Sequence, residues 1–451
     1  MQGMNDNPDR SYGFGHRTSR WLAAASLALV TSVAPLAYAA DADAPMDPLM
    51  DFFSKSKPTL DIRARWENAN LRRARESDAL TLRIRLGLLS PDVTLQQLGV
   101  DGIDGAFKAF IEYEGTEVWD KGAYFVPGGA GFPKIQGTPG KTVIADPSSH
   151  ELNRAWLQYS GYDSKAKFGR QRIILDNARF VGNVGWRQNE QTYDSVRFTN
   201  TSIPDLKLDY SWIWEVQRIF GADSSKSTPN GDFDSQTHLV HATFTGIPNA
   251  TIKAYAHWMD LENSATTAPG NKVYGASVGG SIPVDDIKLG YYGEWARQSD
   301  YGENSMSYHA TYYHVNGSVG YKGYAVGGGW EHLGESRGVG FQTPLATLHK
   351  FNGWADIFLA TPGTGLVDQY AWIDVPLPMG FMFKGVYHRF DSDTGSAGKF
   401  GREYDLLLKK KLPWGVTALA KLAMYREGNG STAGTTENLD RFWLQLEYKY
   451  N

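Results

Sequence analysis

Residues 79–88 read Ala-Leu-Thr-Leu-Arg-Ile-Arg-Leu-Gly-Leu, which puts Leu80, Leu82, Ile84, Leu86 and Leu88 on one face and Thr81, Arg83, Arg85 and Gly87 on the other. A period of two is the mark of a β-strand. The pattern recurs with Leu60, Ile62, Ala64 and Trp66 against Asp61, Arg63, Arg65 and Glu67. It returns with Phe107, Ala109, Ile111 and Tyr113 against Lys108, Phe110, Glu112 and Glu114, and again in Phe442, Leu444, Leu446, Tyr448 and Tyr450 against Arg441, Trp443, Gln445, Glu447 and Lys449.

A soluble sandwich also alternates, so segment length decides. Strands of soluble sheets run to about 5 or 6 residues, whereas several of these reach about ten, enough to cross a bilayer when tilted. Their apolar faces carry Trp and Tyr, as in Tyr210, Trp212 and Trp214, and aromatic belts belong at lipid interfaces. Glycine, 49 of 451 residues, fits the turns and bends of a closed sheet. The fold class expected is all-β, a transmembrane antiparallel β-barrel. Candidate strands fall at 59–68, 79–89, 105–115, 151–160, 163–173, 191–199, 205–219, 237–246, 249–259, 272–281, 285–298, 305–316, 319–330, 349–359, 367–376, 380–390, 401–411, 415–426 and 439–450. Single-chain barrels of bacteria have even strand numbers, so one candidate is surplus. The reading is eighteen strands, with sixteen next and with 191–199 or 272–281 as the expected loop.

The amino terminus sets the compartment. Arg17 and Arg20 precede an apolar run from Trp21 to Leu36 that ends in Ala37-Tyr38-Ala39, the order of a secretory signal peptide. The expected organisation is a signal peptide at 1–39, a periplasmic lead at 40–57 and a barrel at 58–451, in the outer membrane of a Gram-negative bacterium. No cysteine is present, which removes disulfide scaffolds, thiolate metal sites and cysteine nucleophiles. The formal charge of −4 speaks against a nucleic-acid partner.

Three long intervals, 116–150, 174–190 and 331–348, are the candidates for inward-folded or gating loops, since long unstructured loops usually have a task. The chemistry lies on the inward faces. Arg63 and Arg65 on one strand and Arg83 and Arg85 on the next can share one wall, where guanidinium forks suit carboxylate, sulfate or phosphate. Lys108, Lys207, Lys253, Lys288, Lys384, Lys421, Arg441 and Lys449 are further inward cations; Asp61, Glu67, Glu112, Glu114, Asp209, Glu215, Glu294 and Glu447 share the same faces. Arg154 falls by period two on the opposite face with Leu152 and Trp156. Enzyme chemistry finds little support. His238 and His241, three apart on a strand, face opposite ways, Glu331-His332 lacks a third ligand, and no calcium-loop or nucleotide motif occurs. No catalytic residue, metal or cofactor is expected.

The segment Gly169-Arg170-Gln171-Arg172-Ile173-Ile174-Leu175-Asp176-Asn177-Ala178-Arg179-Phe180-Val181-Gly182-Asn183-Val184-Gly185-Trp186-Arg187-Gln188-Asn189-Glu190, continued by Gln191-Thr192-Tyr193-Asp194-Ser195-Val196-Arg197-Phe198, breaks the alternation and resembles the alginate-export family of outer-membrane barrels. A second block, Trp330-Glu331-His332-Leu333-Gly334 followed by Phe341 to Asp356, carries the same likeness. The resemblance spans roughly residues 58–451. It implies an eighteen-stranded barrel with an arginine-rich conduit for an anionic polyuronate, gated by loops, in which Arg170, Arg172, Arg179 and Arg187 line a constriction. The chain departs from a strongly positive tunnel, because its inward carboxylates are numerous. The expected function is a monomeric channel for anionic solutes, a polyuronate or small organic or sugar acids, in contact with outer-membrane lipid and lipopolysaccharide and open to periplasmic partners. The alternatives are a general small-solute porin of weak selectivity and a structural or adhesive barrel plugged by 116–150 and 174–190.

Overall fold

The computed structural model describes residues 48–127, 135–221, 224, 231–262, 270–302, 304–395, 397–430 and 437–450. The signal peptide expected at 1–39 lies outside the described residues. Ahead of the first strand stands a short helix, α1 (Pro48–Lys55), whose last turn is closed by Ser56 Oγ donating to the Phe52 carbonyl at 3.0 Å.

The long strands are β1 (Lys57–Leu71), β2 (Ser77–Leu89), β3 (Ala106–Val118), β4 (Ser149–Gly161), β5 (Ser164–Gln171), β6 (Thr192–Ile203), β7 (Leu206–Gln217), β8 (Asp232–Ile247) and β9 (Ala250–Asp260). They continue with β10 (Gly270–Val284), β11 (Ile287–Asp300), β12 (His309–Tyr321), β13 (Tyr324–Leu333), β14 (Leu366–Leu377), β15 (Phe381–Asp391), β16 (Lys399–Lys411), β17 (Val416–Glu427) and β18 (Leu439–Tyr450). Each pairs antiparallel with its neighbour in sequence. β18 returns to β1, with Leu60 opposite Tyr450 and Leu71 opposite Leu439, so the sheet has no edge. The result is an eighteen-stranded antiparallel transmembrane barrel. Val93–Thr94 adds a two-residue piece beside the start of β3.

The sequence dictates the two faces. Leu80 and Leu86 are each 45% exposed while Arg83 between them is 0%, because the apolar side faces lipid and the charged side faces an interior that loops fill. At one end the strands are joined mostly by tight turns, such as Tyr162-Asp163 and Lys322-Gly323, with φ of 51° and 53° and of 48° and 91°. Positive φ at both central positions marks the hairpin turn whose twist matches the strands. Short turns belong to the periplasmic side and long loops to the outside. Exposed Trp212, Tyr274, Trp295 and Tyr313 form an outer aromatic belt, and Tyr321, Tyr324 and Tyr450 an inner one.

Two strand assignments need correction. The surplus candidate is 349–359. Asn352, Gly353 and Asp356 take φ of 54°, 85° and 62°, which no strand tolerates, and the amides of Trp354 and Ala355 donate to Asp405 and Glu403 side chains instead of to a neighbouring strand. Segments 191–199 and 272–281, the two suspected loops, are strand from Thr192 onward in β6 and throughout in β10. The second correction concerns Arg154. The β3–β4 register shifts between Glu112 and Tyr113, a bulge of one extra residue. It returns Arg154 to the inward face, where it forms a two-pronged pair with Glu112 at 2.8 and 2.6 Å.

Candidate functional site

Three loops from the outer end descend into the lumen. Residues 172–191 join β5 to β6, and 334–365 join β13 to β14. They pack against each other: Val181 bridges Leu345, the Gly182 amide donates to the Leu345 carbonyl at 2.9 Å, and the Thr347 amide donates to the Ala178 carbonyl at 3.0 Å. Their apolar residues Ile173, Phe180, Val181, Phe341, Leu345 and Phe358 form one buried cluster with wall residues Tyr193, Tyr255, Tyr312 and Phe390. The third loop, 119–148, seats Tyr124, Val126 and Ile144 on Ala69, Ala79 and Val118.

These loops consume the arginines of β1 and β2. The register does bring the wall arginines together, with Arg63 directly opposite Arg83 and Asp61 opposite Arg85. Arg63 donates to Glu447 at 2.7 Å and to the carbonyls of Gly185, Trp186 and Arg187 at 3.1 to 3.2 Å. Arg65 holds Gln445 at 2.8 Å, the Trp186 carbonyl and, at 3.4 Å, Asp146 of the third loop; its guanidinium lies 4.2 Å over the Trp186 ring. Arg83 pairs with Asp61. Arg85 sits between Glu114 and Glu190, 3.5 Å away.

The loop arginines are fastened likewise. Arg187 reaches Glu67 at 3.2 Å and Asp356 at 2.6 Å. Burial lowers its pKa, but Glu67, Asp356 and Asp146 outweigh this and raise it above the ordinary value. Arg179 binds Glu331 at 2.7 Å, Asn352 at 3.0 Å and Thr343 at 3.3 Å. Arg172 makes a two-pronged pair with Glu190 at 2.8 and 2.5 Å. Burial pushes the Glu190 carboxyl up, yet Arg85 and Arg172 hold it well below the usual range. Arg170 does not join this group: it shares the face of exposed Phe168 and pairs with Asp194 at 2.7 Å. Lys108 also stands apart, 2.8 Å from Asp92 near the periplasmic turns.

His349 is the knot between both loops and the wall. Its ring stacks on Trp186 at 4.6 Å, Nδ1 meets Asp356 at 2.8 Å and Nε2 meets Lys421 at 2.6 Å. The Lys421 ammonium lies 4.1 Å from the Trp186 ring and 3.9 Å from that of Trp354. Burial drives the His349 pKa down to about 3 against the pull of Asp356. A second fastening holds Asp176 to Lys253 at 2.6 Å and to His241 at 3.4 Å. Burial would raise the Asp176 pKa, but His241 and Lys253 lower it to about 2. His241 in turn meets His257 across the strands at 2.6 Å.

Further round the wall, the lumen holds an open region. A polar space of about 770 Å³ runs along β4 to β7 near the periplasmic end, lined by Gln158, Lys165, Lys167, Arg197 and Lys207, with Asp104 and Asp163 in the turns. Arg197 and Lys207 share Asp209 at 2.6 and 3.2 Å, and Lys167 lies 4.1 Å over the Trp156 ring. Of these cations the sequence pointed to Lys207 alone. Lys165, Lys167 and Arg197 lie on short or irregular alternations, and the bulge that turns Trp156 inward leaves no trace in sequence.

The model for alginate export matches residues 58–333, more than half of the chain. The chain belongs to the alginate-export family. Three solved barrels share the fold of this family member. Acinetobacter baumannii OccAB4 gives a TM-score of 0.67 at 11% identity, covering 88% of this chain and 98% of its own. OccAB2 of the same organism gives 0.66 at 14%, covering 89% and 99%. Pseudomonas aeruginosa OpdK, solved with vanillate, gives 0.64 at 14%, covering 88% and 99%. No curated protein sequence matches significantly. This alginate-export family member is therefore an outer-membrane β-barrel of a Gram-negative bacterium, porin-like in its fold.

Proposed function

We propose that the protein is a passive small-solute porin whose preference for anions is modest and resides on β4 to β7, not on the arginines of β1 and β2. The observation that carries this reading is the fate of Arg63, Arg65, Arg83 and Arg85: each is no more than 6% exposed and engaged by carboxylates or loop carbonyls. Charges so paired cannot offer the weak, reversible contacts that conduction needs. Lys165 and Lys167, which form no ion pair among the described residues, border open polar space and can. Small organic acids fit such a wall, and vanillate, present in the OpdK structure, is a molecule of that class. Loops packed across the lumen favour small solutes over a polyuronate chain.

The test is a reversal potential in planar bilayers under a salt gradient. Lys165→Gln combined with Lys167→Gln lowers the anion-to-cation permeability ratio by roughly twofold or more, as removal of unpaired lumenal charge should. Arg83→Gln leaves the ratio within error. The opposite ranking would return selectivity to β1 and β2, and block by short uronate chains at low concentration would restore the polymer reading.

A further inference from the structure

On the lipid-facing side, at the outer ends of β15, β16 and β17, three arginines stand in one row. The register places Arg389 directly opposite Arg402 and Arg402 directly opposite Arg426. Directly opposed residues of neighbouring strands hold their Cβ atoms about 5 Å apart, and like charges there repel. Two carboxylates flank the row: Asp391 is 3.0 Å from Arg389, and Asp440 is 2.5 Å from Arg426. Arg402, in the middle and exposed, has no carboxylate partner among the described residues, and neither Ser396 nor residues 431–436 nearby in sequence include an acid. Lys399, exposed and opposite Asp391 in the register, adds a fourth cation to the same rim.

The row has a defined depth. One step inward along the strands, Tyr387 faces Tyr404 with ring centroids 5.2 Å apart, and the next step brings Leu406 opposite Leu422 and Leu422 opposite Phe442. An aromatic pair above an apolar band marks the level where hydrocarbon gives way to headgroups. The three guanidiniums therefore lie at headgroup level of the outer leaflet, out of the channel, where a multivalent anion would relieve their repulsion. Guanidinium forks pair two-pronged with phosphate oxygens, and a phosphate monoester carries close to two charges at neutral pH.

We propose that Arg389, Arg402 and Arg426 form a binding site for a phosphate group of an outer-leaflet glycolipid, whose acyl chains lie along Tyr404, Leu406 and Leu422. The experiment is native mass spectrometry of the detergent-purified channel with three probes: bisphosphorylated lipid A, dephosphorylated lipid A and phosphatidylglycerol. The wild-type protein retains bisphosphorylated lipid A and releases the other two. Arg402→Gln weakens retention about tenfold, the loss of one charge-assisted contact, and the triple Arg→Gln variant abolishes it, with heat-modifiable mobility as the check that the barrel has folded. Arg402→Gln breaks no ion pair of the described protein, so it remains readable if the triple variant does not fold. Unchanged retention in Arg402→Gln, or phosphatidylglycerol held as firmly as bisphosphorylated lipid A, would overturn the proposal.

Discussion

Arg187 of the loop 172–191 and Asp356 of the loop 334–365 meet at 2.6 Å inside the barrel, with Glu67 of β1 at 3.2 Å on the other side of the guanidinium. One side chain thus ties both inward loops to the wall. All three residues are almost wholly screened from solvent, so the pairing is structural and its removal is costly.

Arg187→Gln should loosen the loops without unfolding the barrel. Deleting one partner leaves Glu67 and Asp356 in a buried site with less compensation, a change worth about 3 to 5 kcal/mol when a buried pair is broken. Arg441, which holds Glu67 at 2.9 Å, limits the loss. Single-channel recordings should show larger and noisier conductance. A trace indistinguishable from wild type would mean that this clasp does not restrain the loops.

His349 makes the same restraint sensitive to pH. Its pKa inside the clasp is about 3, against about 6.5 for a solvated histidine, so the released state takes up the proton first. The clasp is therefore at full strength above pH 6.5 and weakens as pH falls through that value towards 3. At pH 5 the loss is about 2 kcal/mol by linkage. Asp356, its Nδ1 partner, stays ionised throughout that window, because His349 and Arg187 outweigh its burial and hold its pKa below the ordinary value. Open probability should rise between pH 7 and pH 5, and His349→Phe, which keeps the stack on Trp186, should flatten the profile. A wild-type profile that is level over this range would refute the assignment.

Gly353→Ala tests the fit of the second loop. Gly353 has φ of 85°, and a Cβ there would lie 2.4 Å from Glu403 Oε2. The same carboxylate accepts the Ala355 amide at 2.6 Å, so it cannot retreat without losing that bond. A backbone held where alanine is strained costs about 1 to 3 kcal/mol. Protease nicking in 334–365 should become faster in the variant while the barrel stays intact; equal nicking rates would show that the loop accommodates the methyl group.

The wall was legible in the sequence because lipid outside and charge inside impose a period of two, and that signal persists along β1, β2, β3 and β18. The lumen was not. Segment 349–359 looked like a strand since its Phe351, Trp354 and Phe358 are as apolar as a membrane face, yet those side chains meet other loop and wall residues inside the barrel. The bulge that turns Arg154 inward is one residue of slippage that no composition reveals. Arg63, Arg65, Arg83 and Arg85 share an inward wall, as the period of two implies, but the loop carbonyls that cover Arg63 come from Gly185 and Trp186, more than a hundred positions away in the chain. The His241–His257 contact likewise exists only through the pairing of β8 with β9.

The seam between the first and last strands carries Arg63 on Glu447 and Arg65 on Gln445, while Arg441 and Trp443 of the final strand support Ala355 and Trp186. The carboxy-terminal hairpin is thus both the stave that shuts the cylinder and the shelf on which its stopper rests. A chain truncated before that last stave would therefore lose the closing edge of the cylinder and one side of the shelf together.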